Sequence, residues 1–247
     1  WLATVVVSGI SYLSYLLKRY VFHESGTLVS GIIGGLYSST ATISVLARKS
    51  RKASEQEATE YVAAMLLAVS MMFLRFMILI LIFSREIFLS IYPYLLIMSV
   101  VSAIVGWFIH SRQKLPKDTS VESEEDDSSN PLEFKVALIF AVLFVVFTVL
   151  THYTLVYAGT SGLNLLSFVS GFSDITPFIL NLLQNTGSVA VLIITACSMQ
   201  AIVSNILVNM FYALFFAGKR SKLRPWILGG FGAVIACNLV LLLFFYL

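Results

Sequence analysis

The sequence predicts an all-α integral membrane protein. It is built as two inverted-topology repeats, with six transmembrane helices plus two re-entrant helical hairpins. Three observations predict it. Of 247 residues, 58% are hydrophobic and only 12% charged, about half the charge of a soluble domain. The apolar residues form continuous runs such as Val136–Leu150 rather than the alternating segments of a transmembrane barrel, so helices satisfy the backbone in lipid. The second half also echoes the first at a fixed spacing, the mark of an internal repeat.

Runs of membrane length, about 20 residues, fall at Trp1–Leu17, Thr27–Ala47, Tyr61–Phe83, Ile91–Ile109, Phe134–Tyr157, Gly162–Leu183, Val189–Ala217 and Trp226–Leu247. Residues 111–133 are the one long polar stretch, rich in Ser, Asp and Glu, and read as an acidic flexible cytoplasmic linker. They separate a first repeat, 1–110, from a second, 134–247. A shift of 136 residues places Ser25-Gly26 on Ser161-Gly162, Gly35 on Gly171, Thr40 on Thr176 and Leu46 on Leu182.

Positive charge orients the repeats. If all eight runs crossed the membrane, Lys and Arg would divide eight to seven between its faces. If instead the second run of each half enters and leaves on one side, the division becomes fourteen to one, with Arg85 alone on the far face. The linker is then cytoplasmic and both Trp1 and Leu247 lie outside. Three crossings per repeat, an odd number, invert one repeat relative to the other. The second runs, TLVSGIIGGLYSSTATISVLA and GLNLLSFVSGFSDITPFILNLL, carry Gly, Ser, Thr, Asp or Pro at their centres, where a spanning helix is apolar. Each arm of about ten residues rises about 15 Å, to the midplane of a hydrocarbon core about 30 Å thick.

The two tips supply the expected binding residues. In the first, Gly35 is expected to make the turn, with Ser38, Ser39, Thr40 and Thr42 capping and lining the following half-helix. In the second these roles fall to Gly171, Ser173, Asp174 and Thr176, with Pro177 in a first turn. Free N–H groups at such helix starts attract anions. Arg75, within the run Tyr61–Phe83, costs at least about 2.5 kcal/mol at that depth unless compensated. Asp174, a bound anion or half-helix carbonyl ends are the available partners. Asn205 and Asn209, four apart on one helix face, are expected near the related position of the second half. Read as packing alone, the same small and polar residues would be interhelical glue.

Other chemistry is excluded or left without support. A formal charge of +3, spread between apolar runs, argues against nucleic acid. No Walker loop, nucleophile elbow or paired-carboxylate motif appears, so no enzyme activity and no cofactor are expected. His23, His110 and His152 have no ligand spacing, and Cys197 and Cys237 sit inside apolar runs, so no metal site is expected. The partners implied are the lipid bilayer and a small polar solute or ion; a homo-oligomer is left open. With Trp1 first and no charged leader, the chain reads as part of a longer protein.

The blocks GGLYSSTATISVLARKS (34–50), MMFLRFMILI (71–80) and SGFSDITPFILNLL (170–183) resemble a bacterial membrane family of unknown function. Its members carry this domain C-terminal to an MgtC/SapB-type membrane domain. The resemblance runs from about Val6 to the last apolar segment and implies a multi-pass protein of the bacterial inner membrane. It also implies an MgtC/SapB-type partner upstream. Members of that family often have Gly-Leu-x-Asp at the second tip and a lysine where Asn209 stands; here the tip reads Gly171-Phe172-Ser173-Asp174. Two functions follow: a transporter or channel-like permease for a small anionic or zwitterionic solute, bound at the midplane between the tips, or a regulatory domain that does not transport.

Overall fold

The structure, a computed structural model, describes residues 26–53, 55–112, 134–184, 189–218 and 223–246, with positions 5–7, 9, 12 and 16. Most of the first apolar run and nearly all of the linker lie outside the described residues.

Among the described residues there are no strands, positions 5–7, 9, 12 and 16 are helical, and seven further helices have described bounds: α1 (Thr27–Lys52), α2 (Glu55–Phe83), α3 (Arg85–Ser111), α4 (Phe134–Ser170), α5 (Ile175–Gln184), α6 (Val191–Ala217) and α7 (Arg224–Tyr246). Six of them, all but α5, are long and apolar enough to cross a membrane. The chain is therefore a multi-pass, all-helical membrane protein.

Two of the six are broken. In α1, Ser38 leaves helical geometry at φ −158° and ψ 108°. A Cβ on Gly34 would fall 2.5 Å from the Thr42 Oγ1. Eight residues of straight helix would separate these positions by about 12 Å, so the chain turns back at Ser38. In α4 the break is at Gly159, with φ 58° and ψ −146°, a conformation that only glycine adopts readily. Beyond it Gly162 lies against Thr154, where a Cβ on the glycine would fall 2.6 Å from the Thr154 Cγ2, so this chain also reverses. The arm 160–170 then runs into a turn at 171–174 and α5 follows.

Small residues and hydroxyls join the helices. Gly31 and Gly35 lie directly on the backbone of Ala64 and Ala68, a small-xxx-small seam between α1 and α2. Ser70 donates to the Ser99 carbonyl at 2.8 Å and Ser99 returns a bond to the Ser70 carbonyl at 3.1 Å, which ties α2 to α3. Buried Tyr94 on α3 donates to Asn238 Oδ1 on α7. Ser84 caps α3 through Ile87 N, and Gly218, with φ 76°, follows the end of α6. The core runs along the inner faces of α2 and α6 and encloses α5, whose residues 175–183 are all buried.

The spacing seen in the sequence recurs in the architecture. The starts of α2 and α6, Glu55 and Val191, are 136 residues apart. So are the breaks at Ser38 and Asp174, and so are the corresponding members of two close contacts: Gly171 follows Gly35, and its neighbour Ser204 follows Ala68, by the same 136 residues.

Candidate functional site

Gly35 does not make the first turn. It is helical and buried, and a Cβ there would fall 2.5 Å from Ala68 Cα, so its role is close approach. The turn belongs to Ser38, whose hydroxyl accepts from Ala41 N at 3.3 Å and caps the second arm of α1. Ser39 is buried. Thr40 and Thr42 are half-buried; the Thr40 carbonyl accepts from Ser44 Oγ at 2.8 Å, and Thr42 packs on Gly34.

Arg75, 8% exposed on α2, reaches this break. Its Nη1 donates to the Tyr37 carbonyl at 2.7 Å, the last carbonyl of the first arm. A cation there meets the negative end of a half-helix dipole. Of the compensations open to the sequence, the carbonyl end is the one in contact. Asp174 forms no ion pair with Arg75, although the helix it caps packs against α2. The Nε of Arg75 is buried with no hydrogen-bond partner.

The second tip is built on the same plan from other groups. Asp174 Oδ1 accepts from Thr176 N at 2.9 Å and caps α5. Thr176 is buried and Pro177 falls in the first turn of α5, where its missing N–H is harmless. Gly171 is buried against Ser204 of α6, and its carbonyl accepts from Asn205 Nδ2 at 3.2 Å. Asn209 Nδ2 in turn donates to Asn205 Oδ1 at 3.1 Å, while its own Oδ1 is buried and unpartnered. Asn205 and Asn209 thus share one helix face as expected. Ser173 is exposed, but its hydroxyl donates to the Ser170 carbonyl at 3.2 Å and serves the turn.

Two clusters result. One holds Tyr37, Ser38 and Arg75; the other holds Gly171, Asp174, Thr176, Asn205 and Asn209. The packing of α5 against α2 links them, and Gly35, Thr40 and Ser173 stay outside. Sequence reasoning misses Tyr37, whose contribution is a backbone atom and leaves no side-chain signature. It also misses Ser167 and Ser170. Together with Asn164 and Ser173 they recur every third residue, and each of the three serine hydroxyls donates to the carbonyl three residues before it. That periodic stripe is the signal that could have found them. No group of three or more His, Cys, Asp or Glu among the described residues is arranged to hold a metal ion.

Fold and site together define a multi-pass helical membrane protein with two capped helix breaks and a buried arginine at one of them. The chain belongs to the family described as a domain of unknown function, DUF4010, whose model matches residues 5–217. It is similar to an uncharacterized protein of Aquifex aeolicus (strain VF5), 26% identical over 224 residues, covering 90% of this chain and 96% of that one. No solved structure matches.

Proposed function

We propose that this protein is a permease for a small anionic or zwitterionic solute in a bacterial cytoplasmic membrane. The two halves are inverted repeats, each with three crossings and one re-entrant hairpin, and the solute binds between the tips. The observation that carries the reading is Asp174: it is exposed at a hairpin turn and caps α5, a helix that packs against α2, where Arg75 is buried. A carboxylate at membrane depth must face water or a partner group, which marks a solute pathway. The matching 136-residue spacing of helix starts and capped breaks supports the repeat. The arm 160–170 rises about 16 Å, half the hydrocarbon thickness, which supports a tip near the midplane.

Purified protein is to be screened for solutes that raise its melting temperature, since a ligand stabilises by mass action. Hits are then followed as uptake into proteoliposomes. No stabilising solute and no uptake would sink the permease reading and leave a regulatory domain of an MgtC/SapB-type protein. Topology is checked by cysteine labelling. Arg51, Thr160 and Arg224 are all exposed and serve as labelling positions. Cysteines at 51 and 224 should react with an impermeant reagent from the cytoplasm, and one at 160 only from outside. Opposite sidedness of 51 and 224 would restore eight crossings.

A further inference from the structure

The two tips differ in charge, and the difference selects among solutes. At the first tip the helix start after Ser38 is capped by a neutral hydroxyl at 3.3 Å, so its positive dipole end is only lightly offset. Arg75 adds a full positive charge beside it, 8% exposed, with one guanidinium nitrogen spent on Tyr37 and Nε unpartnered. At the second tip the start of α5 is capped by a carboxylate, which offsets that dipole end and leaves the tip negative. Asp174 is exposed and has no ion-pair partner among the described residues. The two charges do not touch, but α5, which Asp174 caps, packs against α2, which carries Arg75.

The charges of Arg75 and Asp174 cancel in sum, but the site between them is polarised. A simple anion gains from Arg75 and the first helix start and is repelled by Asp174; a simple cation meets the reverse. A molecule carrying both charges a short distance apart gains at both ends. Resting on the permease reading, we infer that the solute is a zwitterion of the amino-acid class, its carboxylate held at Arg75 and the Ser38-capped helix start and its ammonium at Asp174. A primary ammonium suits Asp174, because a carboxylate accepts charge-assisted hydrogen bonds and its Oδ1 is already shared with Thr176 N.

The test uses the purified chain in detergent with three matched probe sets. These are the standard amino acids, their 2-hydroxy acids, which lack the ammonium, and their amides, which lack the carboxylate. At least one amino acid should raise the melting temperature while its hydroxy acid and amide do not. Asp174→Asn keeps a good helix cap and removes the charge. It should weaken amino-acid binding by at least about tenfold, or about 1.4 kcal/mol, and strengthen binding of the hydroxy acid. A hydroxy acid that binds the native protein as tightly as its amino acid overturns the zwitterion and leaves the permease reading standing. So does stabilisation only by solutes outside the amino-acid class. Equal weakening of both probes in Asp174→Asn reduces Asp174 to a structural cap and overturns the inference. No stabilisation by any polar solute overturns both readings.

Discussion

The first tip and the second solve one problem with different chemistry. Each is a helix broken at a capping residue, Ser38 or Asp174, with a carbonyl just before it that accepts a side-chain bond. At the first tip the carbonyl is Tyr37 and its donor is a buried cation; at the second it is Gly171 and its donor is the neutral amide of Asn205. The charge has moved from the supporting helix in one half to the cap in the other. Position in the fold dictates that a donor and a cap be present, and leaves open which of them is charged.

The strongest way to break the comparison is at its tightest contacts. Gly35→Leu drives a side chain into the Ala68 backbone and should lower stability by about 3 kcal/mol, read as thermal melting in detergent, and no neighbouring substitution should restore it. The atoms nearest a Cβ at Gly34 belong to the Thr42 side chain, so Thr42→Ala should recover much of the stability that Gly34→Ala loses.

Next comes the charge itself. Arg75→Met strands the Tyr37 carbonyl and should cost about 1–3 kcal/mol. Because Asp174 is not in contact, the coupling between Arg75→Met and Asp174→Asn should be below about 1 kcal/mol. A coupling of about 3 kcal/mol would show a direct ion pair and erase the distinction between the tips. Asn205→Leu removes the neutral donor, frees Asn209 Nδ2 as well, and should cost about 1–2 kcal/mol in the same melting assay. The smallest effects belong to the caps. Ser38→Ala should cost about 1 kcal/mol and Asp174→Asn less than about 0.5 kcal/mol, since Asn caps as well as Asp.

The membrane class and the places of the two capped breaks are legible in the sequence, because hydropathy and helix capping act over short stretches of chain. The residues named for the tips, Ser38, Asp174 and Asn205, occupy the breaks or bond to them. Gly35 reads as a turn in the sequence because glycine permits both a turn and a close approach, and only its neighbour in space decides which. The deciding partner, Ala68, stands thirty-three residues away in the chain and repeats the four-residue spacing of Gly31 and Gly35 with Ala64. Arg75 is legible as a charge needing compensation, whereas its partner is a backbone oxygen, an atom every residue owns. The reversal at Gly159 is hidden for the opposite reason: an isolated glycine in an apolar run is common, and its φ of 58° is a property of the fold.

The glycine and alanine seam between α1 and α2 has a thermal consequence. Water plays no part in its formation within lipid, so its strength comes from van der Waals contact between two backbones rather than from removal of apolar surface from water. Hydrophobic attraction fades on cooling and carries a large heat-capacity change, and this seam carries neither property. Gly31 and Gly35 have no side-chain rotamers to freeze, so closing the seam orders nothing but the main chain. The first hairpin is thus fastened to α2 by a joint that holds in the cold as firmly as in the warm.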